Sequence, residues 1–246
     1  MADSWQCNKE GSLEQTSKVA AELGLSFPAI HFSAEQMARL AIRMRRRNGG
    51  VYCELPFCQT VEAEALGAHI AMGDWRIGPR ADKPSLERLQ DVLSLKPANF
   101  QTGRAAEVLK ACALVAEAGE DVALAVSGPV TLANAMLDVS LLLKAFRKDP
   151  DLAFEVMEFL GEQSLRYVEI ARAQDVRAIR YADPLVAPDI VGSKIGGMIA
   201  ERSTASFLRR MRIVLGSDVH ILVCPKTCAL LPSDEEWEEA CRWATP

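Results

Sequence analysis

Apolar and polar residues follow two rhythms along this chain. In SAEQMARLAIRMRRR, Met37, Leu40, Ala41 and Met44 recur at i, i+3, i+4 and i+7, the spacing of an amphipathic helix that Ser33 is placed to cap. Gly49-Gly50 ends it. A continuous apolar run over residues 121–126 predicts a strand covered on both faces, and strands are also read over 51–55, 176–181 and 219–223, with another short one over 68–72. Helical patterns lie between them. One opens at Thr60 in QTVEAEALG, and others cover 103–119, 132–137, 141–146, 151–173 behind Asp149-Pro150, 196–215 and a closing 233–243. GDWRIGPRADKP reads as an exposed loop, rich in turn residues and mixed charge.

Strands alternating with helices predict an α/β fold with a parallel sheet and crossover connections. In such folds function gathers at the C-terminal ends of the strands. LPFCQT, VSGPVT, RYADPLVAP and LVCPKTC then share one address. Five strands are evident, fewer than the eight of a closed barrel. Residues 1–25 read as a polar leader and 26–246 as one α/β domain. A 246-residue chain that is 49% apolar can bury a sizeable core.

A net charge of −5 argues against nucleic acid as a partner. Arg43, Arg45, Arg46 and Arg47 form the basic cluster, and a helix C-terminus explains them. No apolar run reaches the roughly 18 residues of a membrane span, and MADSWQCNKEGSLEQTSK lacks the layout of a signal peptide, so a cytoplasmic location is expected.

Seven cysteines, irregularly spaced, predict free thiols or metal ligands rather than a disulfide framework. Cys112 reads as a core residue. Cys58, Cys224 and Cys228 fall at strand ends and, if they converge, make a soft metal site. C-x3-C occurs without a second pair, which favours catalytic zinc with three protein ligands over a structural site. Such zinc would hold a substrate thiolate as nucleophile. His220 shares strand parity with Cys224 but lies about 13 Å from it, so it reads as a strand-start residue. Glu62 and Glu64 suit the first turn of a helix, or one of them orients or protonates something at the strand mouth. Asp183, directly after a strand and before Pro184, binds a polar substrate or caps the turn.

At these residues the chain resembles the uroporphyrinogen decarboxylase superfamily, and within it the methylcobamide:thiol methyltransferases that methylate coenzyme M. SFPAIHFSAEQMARLA, LPFCQTVEAEALGAHIAMGD with the following GPR, SGPVTLA, YADPLVAPDIVGSK and VHILVCPKT carry the match. The resemblance implies a (β/α)8 TIM-barrel-like fold, incomplete here because family members continue through further strands. It also implies zinc at the mouth, activating a small thiol that accepts a methyl group from a methylcobamide held by a separate corrinoid protein. Setting LVCPKT on the family's His-x-Cys-Gly segment places Cys224 on the cysteine, Leu222 on the histidine and Pro225 on the glycine. Cys228, Cys58 and His220 remain as replacement ligands, with Asp183 and Glu62 holding substrate or supporting the ligands. Missing strands would leave apolar faces bare, so a homodimer is expected. Two alternatives stay open. One is a non-catalytic accessory protein binding a corrinoid or tetrapyrrole, and the other is a porphyrinogen decarboxylase-like enzyme.

Overall fold

The computed structural model describes residues 12–232 and 235–242. Part of the stretch read as a leader is helical. Ser12–Glu22 forms α1, whose Val19 and Ala20 are buried against Ile30 and Leu40. The next helix, α2 (Ala34–Asn48), starts where expected, with Ser33 Oγ accepting from the Gln36 amide at 3.3 Å. Gly49 closes it at φ +68°, a left-handed conformation that costs a residue without Cβ little. The arginines of its last turn have named partners. Arg45 and Arg46 both meet Glu120, and Arg47 meets Glu22.

Beyond α2 come β1 (Cys53–Leu55), α3 (Val61–Ala65), β2 (Ile70–Ala71), β3 (Arg80–Ala81), α4 (Gly103–Glu117), β4 (Val122–Ser127), α5 (Pro129–Met136), α6 (Val139–Lys148) and α7 (Pro150–Arg172). The remainder comprises β5 (Ala178–Ala182), α8 (Pro188–Val191), α9 (Ser193–Ile199), α10 (Ala205–Leu215), β6 (His220–Val223), α11 (Pro225–Cys228) and α12 (Glu235–Arg242). A π-helical stretch, Ala200–Thr204, joins α9 to α10 inside the run read as one helix. Asp234 and the outer ends of the closing helix, like Cys7, lie outside the described residues.

The sheet is parallel throughout, in the order β1-β4-β5-β6. Its register sets Cys53 beside Val122, Ile179 beside Leu124 and Ile221 beside Ile179. Alternate residues face opposite ways along a strand, so each strand divides between two layers. Leu55, Val122, Leu124, Val126, Ile179, Tyr181, Ile221 and Val223 pack with the helices in the main core. Ala123, Ala178 and Leu222 form a separate cluster on the other face, with Tyr52 against it. The four strands make an arc of a TIM-type barrel, not closed by hydrogen bonds among the described residues.

The run over 68–72 does not join this sheet. Its strand β2 pairs antiparallel with β3. Asp74 turns the chain between them, its Oδ1 accepting from the amides of Arg76 at 2.7 Å and Ile77 at 3.1 Å. The segment read as a plain loop therefore includes a small hairpin.

Candidate functional site

The C-terminal ends of β4, β5 and β6 lie side by side, and the ladder continues one residue past them. The Gly128 amide donates to Ala182 O and the Cys224 amide to Tyr181 O, each at 2.9 Å. Asp183 is placed by this ladder where β5 meets the start of α5. Its Oδ2 accepts from the Val130 amide at 3.1 Å, and its Oδ1 accepts from the Thr131 amide at 2.8 Å and the Thr131 hydroxyl at 2.7 Å. Its own amide donates to Thr227 Oγ1 at 3.0 Å. One buried residue thus ties the ends of β4, β5 and β6 together, its carboxylate reaching the helix after β4 and its amide the segment after β6. Helix N-termini present unpaired amides and a positive dipole end, which is why a carboxylate settles there. Burial still wins overall, pushing the Asp183 carboxyl up to about 6 against the pull of those hydrogen bonds.

Gly128 makes this seat possible. Its backbone, at φ −81°, suits any residue, yet a Cβ there would lie 2.5 Å from Asp183 Cγ and Oδ2. Space, not conformation, demands glycine in SGPVT.

Glu62, on α3, is also fully buried, and its Oε1 accepts from the Ser127 amide at 2.7 Å. Burial raises its pKa, with the Ser127 amide opposing the rise. Ser164 completes the joint by donating from Oγ to Ser127 O at 3.0 Å. Glu62 and Asp183 therefore bind main-chain donors on either side of the end of β4, and both are sealed from solvent.

Arg104 is the residue that pattern reading missed. It lies in the first turn of α4 with its side chain only 2% exposed. Its Nε pairs with Glu64, its Nη2 donates to Thr60 Oγ1 at 2.8 Å and its Nη1 to Cys58 Sγ at 3.4 Å. A cation in a helix's first turn opposes the dipole, and that misfit was the available sign that it had partners elsewhere. Thr60, at the start of α3, makes no capping bond with its hydroxyl and points it at Cys58 Sγ, 3.4 Å away. Buried His31, edge-on to Phe27, feels the charge of the same guanidinium. Burial first, and the Arg104 charge second, hold its pKa down at about 4. Arg104→Met is expected to destabilise the fold by about 2 kcal/mol, below the range for a fully buried pair because Glu64 is 35% exposed. Urea unfolding measures the loss, and histidine NMR should show the His31 pKa rising.

The cysteines do not assemble as expected. Cys228 is joined to Cys241 in a disulfide, which corrects the expectation that the chain would carry only thiols or ligands. Cys224, expected as a zinc ligand, is buried at the end of β6 and is itself disulfide-bonded, which leaves Cys53, Cys58 and Cys112 as the free thiols among the described residues. Cys112 is buried in the core, where its thiol is pushed up to about 12. Leu222 packs with Ala123 and Ala178, and His220 turns its Nδ1 to Glu239 at 3.4 Å. No three His, Cys, Asp or Glu side chains among the described residues form a set able to hold a metal. Zinc, implied by the resemblance, does not fit the described donors as they stand.

Four parallel strands whose C-terminal ends are knit by buried carboxylates define a barrel-type α/β protein with its mouth at those ends. The chain belongs to the uroporphyrinogen decarboxylase (URO-D) family, whose model matches residues 12–213. Methylcobamide:CoM methyltransferase MtaA of Methanosarcina barkeri is 28% identical over 213 residues, covering 85% of this chain and 62% of that protein. Methylcobamide:CoM methyltransferase MtbA of Methanosarcina mazei is 27% identical over 174 residues, covering 70% of this chain and 51% of its own length. The chain thus spans less than two thirds of these relatives. A solved methyltransferase from Methanosarcina mazei superposes with a TM-score of 0.75 at 24% identity, over 91% of this chain and 65% of that one. That likeness concerns the fold.

Proposed function

We propose that this protein is a corrinoid-dependent methyltransferase that moves a methyl group from a methylcobamide on a partner corrinoid protein to a small thiol. The observation that carries the reading is the match to methylcobamide:CoM methyltransferases over 213 residues. The fold supports it, since the segments quoted for the resemblance include the strand ends that meet at the mouth. In the transfer, the S–C bond forms as the Co–C bond breaks, cobalt keeps the electron pair, and the thiol gives up its proton. Asp183 and Glu62 act here as positioning residues, fixing the loops after β4, β5 and β6 rather than touching the reacting atoms. Cys58, partly exposed and backed by the Arg104 guanidinium, is the free thiol best placed to meet a ligand at the mouth. A homodimer belongs to the same proposal, a second copy covering the sheet beyond β1 or β6. None of the described helices is long and apolar enough to cross a membrane.

A second reading, a binding relative that does not catalyse, draws on one observation, the lack of an assembled ligand set among the described residues. Anaerobic absorbance spectroscopy separates the two. On the first reading, the methyl-cobalt band of methylcobalamin decays in the presence of protein and 2-mercaptoethanesulfonate, faster than with the thiol alone. A shifted but undiminished band would support the second.

A further inference from the structure

From the Cys228–Cys241 disulfide we infer a redox latch that holds α12 against the end strand of the sheet and opens to a dithiol reductant. This inference does not depend on methyl transfer. The two cysteines are 13 residues apart with Cα atoms at 5.8 Å, and both are partly exposed, so a small dithiol can reach the bond. Cys228 closes α11, immediately after Thr227, whose hydroxyl accepts from the Asp183 amide. Its Sγ also lies 3.5 Å from Val223 O. The bond therefore joins α12 directly to the segment that completes the strand mouth.

What else holds α12 is weak. The helix has eight residues, EEWEEACR, four of them glutamate, and helices this short are marginal by themselves. It buries Trp237 and Ala240. Its polar contacts include Arg209 with Glu236, a two-point pair at 2.6 Å, and His220 with Glu239, and the Arg209 guanidinium lies 5.5 Å over the Trp237 ring. Both pairs are between 40 and 60% exposed, where such contacts contribute little. Closing a loop of this length is worth about a hundredfold in the docking equilibrium, more than either ion pair.

In opening, one thiolate of the reductant attacks a cystine sulfur and displaces the other as thiolate. The second thiol then closes the reductant's own disulfide and frees the remaining cysteine. Two electrons and two protons pass to the Cys228–Cys241 pair. The open state carries a Cys228 thiol at the mouth and an uncovered β6.

Peptide mapping without reductant, joined to hydrogen exchange before and after dithiothreitol, tests this on the full chain. The expected result is a linked 228–241 peptide and, on reduction, about hundredfold faster exchange in α12 with α7 unchanged. Cys241→Ser without reductant, which leaves the disulfide at Cys224 intact, should show the same faster exchange in α12. Should that variant fail to fold, the wild type in its two redox states makes the same comparison. Free thiols at both positions in the untreated protein, equal α12 protection in both states, or α7 loosening together with α12 would each overturn the latch.

Discussion

Asp183→Ala is expected to lower the unfolding free energy by about 3 kcal/mol, read from urea denaturation. The change leaves the buried amides of Val130 and Thr131 without their acceptor, and each such loss costs roughly 1–3 kcal/mol. Relief from burying a carboxylate offsets part of the sum. Asp183→Asn exposes that offset through pH. The folded pKa of about 6 lies above the ordinary aspartate value of 3.8, so the native state holds the proton more tightly than the unfolded one. Stability from this group is thus greatest below pH 3.8 and is lost as pH rises through 6. Between pH 5 and pH 8 the stability advantage of wild type over Asp183→Asn should shrink by roughly 1 kcal/mol. An advantage that stays level, or grows, would show that the carboxylate is ionised throughout.

Gly128→Ala is expected to cost about 3 kcal/mol, the upper part of the range for overpacking a tight site. The added methyl would collide with Asp183 Cβ, Cγ and Oδ2 at once, and none of these is the free end of a flexible side chain. Asp183 is held by α5 and by Thr227, so it cannot retreat without breaking the joint. A double-mutant cycle with Asp183→Gly tests the cause. If the collision is responsible, Gly128→Ala should cost at least 1 kcal/mol less in that background, as interaction energies between touching residues do. Strictly additive losses would locate the damage elsewhere.

The elements that pattern reading recovered are those whose signal is local. The apolar run at 122–127 stands out because a parallel strand is covered on both faces, and the shorter apolar stretches at 178–182 and 220–223, interrupted by Arg180 and opened by His220, still read as strands. The caps at Ser33 and Asp149 were visible because capping involves neighbours in the chain. Helix α1 was hidden by its polar composition, since two small apolar residues, Val19 and Ala20, suffice to seat it against Ile30 and Leu40.

The site was legible as an address but not as a geometry. A carboxylate after a strand looks the same in sequence whether it faces the mouth or seats a helix. What decides for Asp183 is the space at Gly128, across a distance of 55 residues that no periodicity spans. Glu62 suits the dipole of α3, as read, yet it reaches the Ser127 amide 65 residues away. The pairing of Cys228 with Cys241 likewise follows from where α12 lands, not from cysteine spacing. Long-range contacts of this kind carry most of the site's chemistry.

The proposed methyl transfer from a corrinoid to a thiol is decided by following the methyl group itself. Trideuteromethylcobalamin and 2-mercaptoethanesulfonate would be incubated with the purified chain under anaerobic conditions, and the products identified by mass spectrometry. Trideuteromethylated thioether and cob(I)alamin should form in equal amounts, at a rate proportional to protein concentration. Thioether formed no faster than in the protein-free mixture, for this thiol and for other small thiols, with reductant present and with a methylated corrinoid protein as donor, would contradict it.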